Sequence, residues 1–129
     1  MTDNLNARVL LVDDEARFVE ILAERLRMRG VSVDTTTSGE AALKLVGEKS
    51  FDAVLLDLSM PGMGGTEVLR EMKKIKPALQ VIILTGQGSI QATVEVMKEG
   101  ALDFMEKPVD INKLIEKLKE AVQKSTENI

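Results

Sequence analysis

Three short apolar runs, each cut off by a polar side chain, constrain this chain more than any other feature of it. Val9-Leu10-Leu11-Val12 stops at Asp13, Ala53-Val54-Leu55-Leu56 stops at Asp57, and Val81-Ile82-Ile83-Leu84 stops at Thr85. Runs this short suit strands better than helices. Apolar residues at every position, rather than at every second one, require cover on both faces. Central strands of a parallel sheet meet both conditions. Asp13, Asp57 and Thr85 then lie at strand C-termini, the edge of an open α/β sheet where ligands bind.

The segments between the runs read as helices and two weaker strands. Phe18, Ile21, Leu22 and Leu26 recur at helical spacing after the first run, and Gly30 is placed to end that helix. Val31 and Val33 alternate with Ser32 and Asp34, a pattern for a strand with one wetter face. Thr37 and Glu40 have capping-box spacing for a second helix that buries Ala42, Leu45 and Val46. Gly62, Gly64 and Gly65 make a bendable loop after Asp57. A third helix starts near Thr66, turns Val68, Leu69 and Met72 inward, and ends before Pro77. Ser89 is placed to cap a fourth helix carrying Ile90, Val94 and Met97, which Gly100 closes. Leu102 to Phe104 form a short fifth strand ending near Lys107-Pro108, a bond open to the cis form. Asp110 caps a last helix with Ile111, Leu114, Ile115, Leu118 and Val122 on one stripe.

Strict alternation of strand and helix predicts a parallel sheet with right-handed crossovers. The unbroken runs belong in its centre, and the alternating second strand and short fifth strand belong at its edges. The flavodoxin-like order 2-1-3-4-5 meets this requirement. The predicted architecture is a (βα)5 three-layer sandwich over residues 8–124. Residues 1–7 are expected to be a flexible N-terminal segment and 125–129 a frayed tail. Strands 1 and 3 flank the switch point, so the crevice belongs between them.

Composition excludes several chemistries. The 129 residues contain no cysteine and no histidine. Thiol chemistry, imidazole bases and His- or Cys-ligated zinc are therefore ruled out. With 17 Lys+Arg against 21 Asp+Glu the net charge is -4, which speaks against direct nucleic-acid binding by this chain. No apolar run approaches the ~20 residues of a membrane-spanning helix. The N-terminus lacks the basic and apolar regions of a signal peptide, so cytoplasmic placement is the default expectation.

The strand order gathers Asp13, Asp14, Asp57, Thr85 and Lys107 at one edge. Singly, each has a plain structural reading: Asp13 and Asp14 as helix caps, Asp57 and Thr85 as turn residues, Lys107 as a surface lysine. Jointly they form a site. Three carboxylates repel one another unless neutralised. One divalent cation and one ammonium bring the formal charge to zero. Oxygen ligands alone select a hard cation, most simply Mg²⁺ completed by water. A carboxylate can also attack phosphorus to give an acyl phosphate. That chemistry needs positioning and neutralisation more than acid–base groups.

With Val12-Asp13-Asp14-Glu15, Leu56-Asp57-Leu58-Ser59-Met60-Pro61-Gly62, Thr85-Gly86 and Lys107-Pro108 in order, the chain resembles a response-regulator receiver domain, the CheY-like phosphoacceptor module of two-component signalling. The resemblance covers essentially the whole chain. It implies that Asp57 takes a phosphoryl group from a phosphohistidine on a sensor histidine kinase or phosphotransfer protein. It implies Mg²⁺ held by Asp13, Asp14, Asp57 and the Ser59 backbone carbonyl, with Asp13 acting through a water. Ser59 and Gln87 occupy the positions that tune hydrolysis of the acyl phosphate, and both are neutral and polar. Helix 4, strand 5 and helix 5 are the implied output face, open also to a homodimer. The stretches around Thr85 and Gly100 are similar to receivers that precede ATPase and DNA-binding modules in nitrogen-regulator-type activators. The chain is thus expected to be a stand-alone receiver or a piece of a longer regulator.

Two other functional classes fit less well. A haloacid-dehalogenase-type phosphohydrolase wants a second acid two residues after its nucleophile, where Ser59 stands. A flavin module wants stacking aromatics, and the chain has no Trp or Tyr. In the family it resembles, a threonine hydroxyl moves to the phosphoryl group and an aromatic on strand 5 rotates inward; here these are Thr85 and Phe104. Periodicity alone reads Phe104 as core. Phe104 has no hydroxyl, so packing alone biases the inward state. Phe104→Tyr is expected to shift the active population. Identical NMR switch spectra for the two proteins would remove Phe104 from the switch.

Overall fold

The computed structural model describes residues 5–58, 60, 63–86 and 90–127. Among these, five strands alternate with five helices: β1 (Arg8–Val12), α1 (Ala16–Arg27), β2 (Ser32–Thr36), α2 (Gly39–Glu48), β3 (Ala53–Asp57), α3 (Gly65–Ile75), β4 (Val81–Thr85), α4 (Ile90–Lys98), β5 (Asp103–Glu106) and α5 (Ile111–Glu127). The strands form one parallel sheet in the order β2-β1-β3-β4-β5, as the apolar pattern requires.

The pleat explains why the central runs are apolar throughout. Val9, Leu11, Leu55, Ile82 and Leu84 face one side of the sheet and pack with Val19, Leu22, Ala23 and Leu26 of α1 and Leu114, Ile115, Leu118 and Ala121 of α5. Their neighbours Leu10, Val12, Val54, Leu56, Val81 and Ile83 face the other side. There they meet Ala42 and Val46 of α2, Val68, Leu69 and Met72 of α3, and Val96 of α4. Alternate residues of one strand thus feed two separate cores. Each fully buried Leu, Ile or Val contributes about 1.5–3 kcal/mol relative to exposure.

Several local expectations shift. In α1 the buried set is Val19, Leu22, Ala23 and Leu26, whereas Ile21 is 46% exposed. At 100° per residue Ile21 falls nearly opposite Val19, so the stripe runs through smaller residues. In α4 Val96 is buried, while Val94 and Met97 point outward at 45% and 41% exposure. Ala92 and Thr93 are half-buried beside Val96. The cap of α2 is Ser38, whose hydroxyl accepts from Ala41 N–H at 3.2 Å; Thr37 is one residue too early. Leu45 is only half-buried. Asp110 caps α5 as expected, accepting from Asn112 N–H at 2.9 Å. That helix continues to Glu127, so residues 125–127 are helical. At the other end, Ala7 is buried and its carbonyl accepts from Ser32 N–H, which ties the segment before β1 to the sheet. The proposed cap Ser89 lies outside the described residues, as does Gly62.

Gly65 matters for space and not for bendability. A Cβ there would lie 2.6 Å from Leu58 Cα, 2.7 Å from Leu58 O and 2.8 Å from Asp57 O, all backbone atoms. The first turn of α3 packs directly on the chain that carries Asp57. Gly65→Ala is expected to lower stability by about 1–3 kcal/mol in urea unfolding. Gly64→Ala, with nothing within 4 Å of the added carbon, is the control. Equal midpoints for the two variants would show that the Asp57 backbone gives way freely.

Candidate functional site

Hydrogen bonds running past the strand ends pin Asp13, Asp57, Thr85 and Lys107. Asp57 is the last residue of β3, and the next residue continues the ladder, with Leu58 N–H on Leu84 O at 2.9 Å. Thr85 ends β4, and its carbonyl accepts from Lys107 N–H at 2.8 Å. Asp13 follows β1, its N–H on Thr36 O at 3.2 Å. The Lys107-Pro108 bond, open to either form from the sequence, is cis.

These anchors bring Asp13, Asp14, Asp57, Thr85 and Lys107 together as the topology predicts. One carboxylate oxygen from each of Asp13, Asp14 and Asp57 lies within 4.8 Å of the others. Asp13 and Asp57 are 0% and 3% exposed, and Asp14 is open to solvent. Lys107 Nζ lies 2.7 Å from Asp13 Oδ2 and 3.7 Å from Asp57 Oδ1. The Asp13 contact is an ion pair and not an aligned hydrogen bond, because Oδ2 has no directed donor among the described residues. Thr85 Oγ1 is also buried without a hydrogen-bond partner among them. Ser59 and Gln87 lie outside the described residues. Phe104 is half-buried, on β5 opposite Ile83, and packs against the α2–α3–α4 core.

Two contacts escaped the sequence reading. Glu15 Oε1 accepts from Lys107 Nζ at 2.8 Å. The Phe18 ring lies beside the same ammonium, its centroid 4.4 Å from Nζ. Glu15 was legible as the third acid of its run, and Phe18 only as a core residue. Neither spacing signals a lysine about ninety positions away. Burial alone would lower the Lys107 pKa. The contacts with Asp13 and Glu15, and the charges of Asp13 and Asp57, outweigh it and raise the pKa above the usual lysine value.

The site suits a hard divalent cation. Its donors are all oxygens, one from each of three carboxylates that converge within 4.8 Å. Beyond that cation it offers one nucleophilic carboxylate, one ammonium and one unused hydroxyl, a set matched to phosphoryl chemistry.

Known proteins share the sequence pattern and the fold. The profile of the response regulator receiver domain matches residues 9–119. The transcriptional regulatory protein ZraR of Salmonella typhimurium is 40% identical over 119 residues, covering 92% of this chain and 27% of ZraR. The chain thus spans about a quarter of the length of the curated relatives it matches. A receiver domain from Clostridium thermocellum superposes with a TM-score of 0.91 at 34% identity, covering 95% of this chain and 99% of that one. A Burkholderia pseudomallei response regulator carrying a phosphorylated aspartic acid and a calcium ion superposes with a TM-score of 0.83 at 28% identity, covering 95% and 72%. No helix among the described residues is long and apolar enough to cross a membrane.

A raised folded pKa fixes the sign of one pH effect. The stability that Lys107 contributes is fully present below the unfolded lysine value of about 10.4 and is lost as pH rises through its higher folded value. In chelator-containing buffer, the unfolding free-energy difference between the parent protein and Lys107→Met is expected to stay constant from about pH 7 to 9 and to shrink only above about pH 10.4. A difference that fades already between pH 7 and 9 would mean that the ammonium is not held by the carboxylates.

Proposed function

The chain belongs to the response regulator receiver domain family, and from that membership we propose that Asp57 is the phosphoacceptor of a signalling switch. The donor is a phosphohistidine on a sensor histidine kinase or phosphotransfer protein. An Asp57 carboxylate oxygen attacks phosphorus, an O–P bond forms, and the P–N bond breaks with its electron pair leaving on the imidazole. The observation that carries this reading is the company of Asp57. A buried carboxylate lies 3.7 Å from an ammonium, with two more carboxylates close by and, at the adjacent strand end, a hydroxyl without a hydrogen-bond partner among the described residues. The phosphorylated aspartic acid and calcium ion of the Burkholderia neighbour support it.

Each residue then has a role. Asp13 (through a water), Asp14 and Asp57 would hold Mg²⁺, together with the Ser59 backbone carbonyl. The ion, when bound, neutralises charge on the transferring phosphoryl oxygens. Lys107 provides a further positive charge on the same side. The Thr85 hydroxyl, without a hydrogen-bond partner among the described residues, donates to a phosphoryl oxygen. Ser59 and Gln87 set how readily water reaches the acyl phosphate.

Transfer replaces the charge of Asp57 by about -2 on the phosphoryl group, so every nearby donor is pulled harder than before. Movement of Thr85 makes room for Phe104 to turn inward, and the surface of α4, β5 and α5 changes with it. The outward Val94 and Met97 of α4 supply apolar contact area on that surface. The output there is control of a regulator of the transcriptional kind, through a further module or a partner chain. A change from 1:99 to 99:1 would require about 5.5 kcal/mol of differential interaction with the two states.

Acetyl phosphate is a sufficient donor to test the assignment. With Mg²⁺, the parent protein is expected to gain the mass of one phosphoryl group. Asp57→Asn, or omission of the divalent ion, is expected to abolish the gain. Equal labelling of Asp57→Asn would assign the chemistry to another residue.

A further inference from the structure

Lys107 is surrounded by more negative charge than phosphoryl transfer requires. Its Nζ lies 2.7 Å from Asp13 Oδ2, 2.8 Å from Glu15 Oε1 and 3.7 Å from Asp57 Oδ1. Asp57 is the most distant of the three. The face of Phe18, at 4.4 Å, flanks the same ammonium at a cation–π distance. Glu15 stands at the N-cap of α1, a position that favours Ser, Thr, Asp or Asn. Its side chain makes no capping hydrogen bond there. The carboxylate turns to Lys107 instead and accepts a hydrogen bond from it. The Glu15 N–H donates to Asp13 Oδ1 at 2.9 Å. Backbone and side chain of Glu15 are thus both committed to the site, and its side chain leaves the helix end uncapped.

We propose that Glu15 is a positioning residue that acts through Lys107 as a brake on phosphorylation of Asp57, holding the ammonium back from the carboxylate that must react. The proposal rests on the reading of Asp57 as phosphoacceptor. Two effects act in one direction. Charge arriving at Asp57 has to draw Lys107 away from Glu15, so transfer gives up a contact that belongs to the resting state. The carboxylate of Glu15 also repels an anionic phosphodonor. Glu15 makes and breaks no covalent bond; the new O–P bond forms at Asp57 and the leaving group departs with the electrons of the old one. The Glu15 side chain is 64% exposed, so its influence on Lys107 is open to screening by salt. A cap or packing role would not be.

The test uses the full chain, saturating Mg²⁺ and acetyl phosphate, with phosphorylation rates read by intact mass. Glu15→Gln, which keeps the shape and loses the charge, is expected to react about two- to fivefold faster at low ionic strength, the range of an exposed ion pair. That advantage should shrink toward unity near 1 M salt, where the screening length is about 3 Å. A second readout needs neither metal nor donor. The Lys107 ε-methylene protons should resonate upfield under the Phe18 ring, and Glu15→Gln should move them as the ammonium resettles toward Asp57. Equal rates at low salt, a rate ratio indifferent to salt, or unmoved Lys107 resonances would each overturn the brake alone. Failure of the parent protein to take up a phosphoryl group, or equal uptake by Asp57→Asn, would overturn the phosphoacceptor reading and the brake with it.

Discussion

The ammonium of Lys107 is shared among Asp13, Glu15 and Asp57, and the pocket around it exists in its present form because that single cation lies within 4 Å of all three. Asp13 and Asp57 are buried, and the ammonium close to both offsets part of the repulsion between their carboxylates. The same cation is tied through its backbone to Thr85. Charge and hydroxyl are therefore delivered by one connected piece of structure, the paired ends of β4 and β5.

The sheet supplies the precision. Asp13, Asp57, Thr85 and Lys107 each hang from the last rung of a strand or the residue just beyond it, with Asp14 one step further, and parallel pairing brings those ends level. The two cores hold the strands from both faces, and Gly65 lets α3 press against the backbone beneath Asp57. Chemistry that depends on positioning more than on acid–base groups is well served by such a frame.

Much of this could be read from the residues because the signals were redundant. The runs at Val9, Ala53 and Val81 named the central strands, and alternation at Val31 and Val33 named an edge. Strand order then placed Asp13, Asp57, Thr85 and Lys107 together without any knowledge of side-chain positions. Finer features depended on single contacts that periodicity does not encode. Thr37 and Ser38 are both good caps, and one residue of helical phase chose between them. In α4 the bulkier Val94 and Met97 looked like the inward face, yet the space beside β4 and β5 takes Val96 with half-buried Ala92 and Thr93. Glu15 looked like one more acid at a helix start; its meeting with Lys107 is a tertiary event.

The position of β5 at the margin of the sheet has a mechanical consequence. β3 is clasped by neighbours on two sides and keeps the reacting atoms still, whereas β5 is fastened along β4 only. The strand with a single neighbour thus lies at the rim, two strands away from β3. A disturbance begun in the stiff interior would find its softest outlet through Phe104, at the border where another molecule can feel it.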